Sequence, residues 1–184
     1  MDFMQQTIAM TGITPIGLPD EIELSRAIPA AVALAPEHLR SAVELICVAI
    51  AENTVTGDVA AFAKDDTVKQ SIKGLMADHL LDEGRHSGFW ARLVRIYWHT
   101  ANEDDRHCIA HILPVFIGHY LTNDIQKSFD FRLIESLQIS DAARQALKRE
   151  VSGLAFPINR HHPLVVNIVR FFRSSSLLDS PCVQ

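Results

Sequence analysis

Residues 65–100 read DDTVKQSIKGLMADHLLDEGRHSGFWARLVRIYWHT. Ile72, Leu75, Trp90, Leu93 and Tyr97 recur at three- and four-residue intervals, which predicts one long helix to about residue 99, capped by Asp65 or Asp66. At its centre lies HLLDEGRH, His79 to His86, with two imidazoles and two carboxylates. With His79 at zero and about 100° per residue, Glu83 falls at about +40° and His86 at about −20°. The apolar residues fall within about 40° of the same line. Both histidines and Glu83 are therefore expected in the middle of the apolar stripe, with Asp82 at its edge and Gly84, Arg85, Ser87 and Gly88 on the flanks or far side.

Charge on such a stripe requires a partner, because burying an unpaired carboxylate is very costly. A divalent metal satisfies a carboxylate and two neutral imidazoles at once, and an i, i+4, i+7 set converges from one helix face. The plainer reading is a hydrogen-bonded polar network in the core. The preceding segment, PEHLRSAVELICVAIAENTVTGDVAAFAK (36–64), has the same periodicity. It predicts a helix over about 37–62, with Pro36 in its first turn and Gly57 as a weak point. On that helix Glu52 shares a face with Leu45, Val48, Val55, Thr56 and Val59. If the two helices pack antiparallel, Glu52 meets the 79–86 face. Four ligands of mixed N/O type, Glu52, His79, Glu83 and His86, suit Fe or Mn, and Zn as well.

Farther out, residues 1–36 contain Pro15, Pro19, Pro29 and Pro36. They predict an irregular arm with a short helix around Glu21 to Ala27. A third helix is expected over about 103–127 with a kink near Pro114. Ser140 is a good N-cap for a fourth helix ended by Gly153, and Pro163 opens a fifth. Residues 37–178 thus form a helical domain and 179–184 a loose tail. The class is all-α, most simply a bundle of about five helices.

The 184 residues carry a formal net charge of −5 and no Lys/Arg-rich run, which argues against nucleic-acid binding. Cys47, Cys108 and Cys182 are widely spaced and odd in number, which points to a reducing compartment without a disulfide frame. Cys47 and Cys108 read as small core residues. No basic start followed by a long apolar run suggests a signal peptide, and no apolar stretch is long enough to span a bilayer. The expected location is cytoplasmic. There is no P-loop, nucleophile elbow or dinucleotide fingerprint.

Asp104, His107 and His111 form a second candidate metal set, with carboxylate-x-x-His and i, i+4 spacing. Their plainer reading is a solvated helix start. Phe89, Trp90 and Tyr97 are candidates for a substrate cavity or for ordinary core. Arg85 and Arg92 read as surface ion-pair residues.

The pattern H-x-x-x-E-x-x-H at His79, Glu83 and His86, with Glu52 upstream and the run DEGRHSGFW, resembles the p-aminobenzoate N-oxygenase family of ferritin-like non-haem diiron proteins. The resemblance covers roughly 37–125, including HILPVFIGHYL, and resembles the C-terminal half only. It implies a ferritin-like bundle holding two irons, O2 as co-substrate, and oxidation of an amino group on a small molecule, with electrons from an external donor. It implies that Glu52, His79, Glu83 and His86 are iron ligands and that Glu83 bridges. The family's earlier glutamate and earlier E-x-x-H have no counterpart here: Glu21, Glu23, Glu37 and Glu44 lack the matching histidine. Three expectations follow. A partner chain supplies the missing helices, a homodimer combines two half-sites, or the chain is a non-catalytic remnant or interaction subunit holding one metal or none.

Overall fold

A computed structural model describes residues 21–122, 124–154 and 159–179, together with Gln6 and Ala9. Among them are seven α-helices, two 3-10 turns and no strand, as expected for an all-α chain. The helices are α1 (Glu23–Leu34), α2 (Arg40–Lys64), α3 (Gln70–Thr100), α4 (Glu103–Tyr120), α5 (Asp124–Ser136), α6 (Asp141–Gly153) and α7 (Pro163–Ser174). The chain divides into two units, Leu24–Leu121 with Phe156–Gln184, and Met1–Glu23 with Thr122–Ala155.

The larger unit is built on α2 and α3, whose mutual packing is the most extensive among the described residues. Val43, Ile46, Cys47 and Ile50 of α2 are fully buried. They meet Val94 and Trp98 of α3, Ile109, Leu113 and Phe116 of α4, and Ile168 and Phe171 of α7 in one core. Helix α1 joins this core through Ala27 and Ala31, both with no exposed surface. The i, i+4 spacing of these alanines allows close approach of its backbone. That contact carries the helix through Pro29 to Leu34, seven residues beyond the short helix expected in the arm. Proline removes one backbone donor there, and the buried face outweighs the loss. The 1–20 stretch of the arm and the tail 180–184 lie outside the described residues, apart from Gln6 and Ala9.

Pro36 precedes a 3-10 turn, Glu37–Leu39, and α2 then runs unbroken through Gly57 to Lys64. Asp65 does not cap α3. Its carboxylate accepts from the Thr67 N–H (2.8 Å) and hydroxyl (2.7 Å), closing a turn, and Lys69 takes the N-cap position. Those two bonds hold the Asp65 carboxyl below its usual range. Asn102 caps α4 by accepting from the Asp105 N–H at 2.8 Å. Helix α4 continues through Pro114 and stops at Tyr120 rather than near 127.

In the smaller unit α5 and α6 pack together. Ser140 caps α6, as its position suggested, accepting from the Ala143 N–H at 3.3 Å. Arg144 of α6 donates to the carbonyls of Ile134 (2.9 Å), Glu135 (2.7 Å), Leu137 (3.2 Å) and Ile139 (3.4 Å). The last carbonyls of a helix have no intrahelical donors, and one guanidinium supplies them here.

Burial, and then the Glu44 carboxylate, push the Cys47 thiol from its usual 9.0 up to about 12. Folded protein at pH 8.5 should leave Cys47 unalkylated while half-buried Cys108 reacts, as peptide mass mapping will show. Stability from this thiol is complete below pH 9 and declines as pH rises toward 12, because only the unfolded chain ionises there. Phe116 is fully buried, and Phe116→Ala should cost about 3–5 kcal/mol in urea unfolding.

Candidate metal centre

The short link between α2 and α3 folds them into an antiparallel hairpin, so positions equally far from the turn face each other. Glu52 of α2 thereby comes opposite Glu83 and His86 of α3. One ligand atom from each of these three residues lies within 4.8 Å of the other two. Metal–ligand bonds of about 2.0–2.2 Å place donors around one ion roughly 3–4 Å apart, so these side chains need only small adjustments to share a cation. Among the described residues this is the only such group.

Glu83 is the centre of the cluster. It is 8% exposed, and among the described residues its ion-pair partners are two imidazoles. His79 Nε2 stands 3.5 Å and His86 Nδ1 3.8 Å from the same oxygen, Oε1. These distances exceed a good hydrogen bond. No lysine or arginine of the described residues reaches this carboxylate. A cation coordinated by Glu83, Glu52 and His86 compensates the buried charge in a way the distant imidazoles do not. The donor set, two carboxylates with imidazole, fits a divalent transition metal.

One sequence expectation is corrected. The histidines do not sit in the middle of the buried stripe: the His79 and His86 side chains are 49% and 57% exposed. The buried positions of α3 are Glu83, Ala91, Val94 and Trp98, whose centre lies about 40° past Glu83, away from both histidines. The cluster therefore opens at the rim of the α2–α3 seam, and His79 stays outside the three-residue group. The second candidate set does not assemble. Asp104, His107 and His111 are all exposed, and His107 Nδ1 is engaged with the Glu103 carbonyl at 3.0 Å. The acidic start of α4 instead holds His38 on Asp105 at 3.1 Å.

Trp90 and Tyr97 pack against the core, and Phe89 lies edge-on to Trp90 at 5.4 Å while 60% exposed. Arg85 pairs with Asp82 at the surface, 3.1 Å apart. No pattern in the sequence points to the polar contacts flanking the cluster. Ser87, expected on the flank or far side, turns toward α2 and donates its hydroxyl to Asn53 Oδ1. Buried Thr54 bonds the Tyr120 hydroxyl of α4 at 2.6 Å, and its carbonyl accepts from Asn167 of α7 at 3.2 Å. Asn53, Ser87, Asn167 and Arg170, with Ala60 and Phe171, line a cavity of about 380 Å³. Polar residues at these positions have no periodicity of their own, so only the packing of three helices shows their purpose.

A protein-family model described as p-aminobenzoate N-oxygenase AurF matches residues 1–154, a longer span than the motif resemblance covers. No curated protein and no solved structure matches the chain. Among the described residues, no helix is long and apolar enough to cross a membrane.

The geometry separates the two candidate sets experimentally. In anaerobic Fe2+ titrations His86→Ala should weaken binding by more than about tenfold, and His107→Ala should leave it unchanged. Equal effects from both substitutions would remove the distinction drawn here.

Proposed function

Since the chain belongs to the p-aminobenzoate N-oxygenase AurF family, we propose that it acts in an O2-dependent oxidation of an amino group on a small molecule, as the part of a non-haem iron oxygenase that carries half the metal ligands. The observation that carries this reading is the convergence of Glu52, Glu83 and His86 across the α2–α3 seam. His79, 3.5 Å from the same oxygen of Glu83 but outside the converging group, would be a fourth ligand. Glu52, Glu83 and His86 would hold iron there, and iron would supply the redox chemistry for O2-dependent amine oxidation, with electrons from an external donor.

The chain's own residues have separate tasks. Glu83 brings a buried negative charge that holds a cation at the seam. The family resemblance implies that Glu83 would bridge two metal ions. Glu52 adds a second carboxylate from the facing helix, which ties the ion to both helices. The exposed sides of His79 and His86 leave the centre open to further ligands and to substrate. The core behind the seam, with Val94 and Trp98, limits water to the open side.

A two-iron bundle takes one glutamate from each of two helices and an E-x-x-H pair from each of the other two, six ligands in all, so Glu52, Glu83 and His86 would be half of the set. We propose that a second copy of the chain, or a partner with the missing helices, completes the centre. Helix α3 supports association: Leu81, Phe89 and Ile96 are 67%, 60% and 55% exposed, and they fall within about 80° of the helix surface. The second reading is a non-catalytic metal-binding remnant or interaction subunit. What favours it is that only three groups converge among the described residues.

Iron content per chain, measured with the mass in solution on anaerobically purified protein, separates these readings. About one iron per chain in a dimer supports the shared centre. About two per chain in a monomer would mean ligands beyond the four named. Absence of iron would favour the non-catalytic reading. Glu83→Ala should abolish iron binding and, in the assembled enzyme, amine oxidation. A variant that keeps stoichiometric iron would overturn the ligand assignment.

A further inference from the structure

Asn53 and Ser87 are the immediate chain neighbours of Glu52 and His86, and they bond to each other across the α2–α3 seam. Ser87 Oγ donates to Asn53 Oδ1. At its other end the Asn53 amide is already committed, with Nδ2 donating to the Ala49 carbonyl one turn back at 2.8 Å. That bond fixes which way the amide points. Only its acceptor oxygen faces α3, and an acceptor half-withdrawn from water needs a donor. The Ser87 hydroxyl meets that need with a single rotation.

The contact fixes two degrees of freedom at once. Sliding one helix by one residue moves a side chain about 1.5 Å along the axis and turns it by about 100°. Either displacement removes Ser87 from the Asn53 oxygen and also carries His86 away from Glu52. Apolar burial is non-directional by comparison and does not by itself select one register. The next residue of α2 adds restraint from the other side. The Thr54 hydroxyl donates to the Ala51 carbonyl at 2.8 Å while bonded to Tyr120, and its own carbonyl receives Asn167. Rotation of α2 about its axis is thus opposed from α3, α4 and α7 within one turn.

We propose that Asn53 and Ser87 are positioning residues for the metal centre: their hydrogen bond sets the α2–α3 register at which Glu52, Glu83 and His86 reach one ion. This rests on the metal reading above. Neither residue is a ligand, and each acts through its neighbour in the chain.

The test uses the full chain and Co2+ as an optical probe. Wild type, Asn53→Ala, Ser87→Ala, Ser87→Thr and the double alanine variant are titrated, and far-UV helicity and urea midpoint are recorded for each. The alanine variants should keep wild-type helicity, bind Co2+ about 10–100-fold more weakly and shift its visible bands. The double variant should be no worse than either single one, as expected of two residues sharing one bond. Ser87→Thr, which retains the hydroxyl, should restore affinity and spectrum.

Wild-type affinity and spectrum in Ser87→Ala would overturn the proposal, and Ser87→Ala is the milder change should Asn53→Ala fold poorly. So would failure of Ser87→Thr to rescue, because the hydroxyl would then not be the cause. If wild type binds no Co2+, the metal reading itself falls and takes the positioning role with it, a result visible before any variant is made.

Discussion

The antiparallel register of α2 against α3 is the constraint on which the rest of the larger unit depends. It buries Val43, Ile46 and Ile50 against Val94 and Trp98, and it sets three polar side chains at one height on the seam. Burial supplies most of the free energy, at about 25 cal/mol per Å² of apolar surface withdrawn. It does not choose among neighbouring registers with the same sharpness. Polar contacts do, because a displaced hydrogen bond leaves both partners unsatisfied. The seam thus joins a non-directional attraction to a directional one, and Glu83 lies where the two meet.

Glu83 also shows how a folded chain tolerates a cost for a purpose. A carboxylate 8% exposed, whose ion-pair partners among the described residues are imidazoles at 3.5 and 3.8 Å, is poorly compensated by the protein alone. Local arrangements that oppose folding are expected at sites that bind something. The arrangement is asymmetric. On one side the core closes against the carboxylate, and on the other the two histidines look outward.

Much of the fold was legible because its signals are local. Ser140, Pro163 and the periodic runs of α2 and α3 announce helix starts and faces within a few residues. Helix α5 was missed because Phe129, Phe131 and Leu133 alternate instead of following a helical period. The extent of α1 was missed because Pro29 is a strong breaker and the offsetting contact, two alanines against a distant core, is not local. At the site, the spacing of His79, Glu83 and His86 was visible, and so was Glu52 as a partner across an antiparallel pair. The tilt of the buried face was not. A wheel centred on the apolar residues of α3 averages over the whole helix, whereas burial at each position follows what packs there. Ile72, Leu75, Trp90, Leu93 and Tyr97, which defined the expected stripe, are only half-buried. Ser87 was set aside as flanking for the same reason.

Glu52, Asn53 and Thr54 are consecutive, yet they address different neighbours: the carboxylate cluster, Ser87, and Tyr120 with Asn167. This bears on how the chain tolerates changes of length. One residue added or removed within α2 between the Pro36 turn and Glu52 turns all three side chains by about 100° relative to the buried face before them, so each meets the wrong helix. The same change in the link around Asp65 to Lys69 is absorbed by a surface turn. In related chains, gaps and insertions should therefore gather at the α2–α3 turn and be absent from the first half of α2, whatever the substitutions around them.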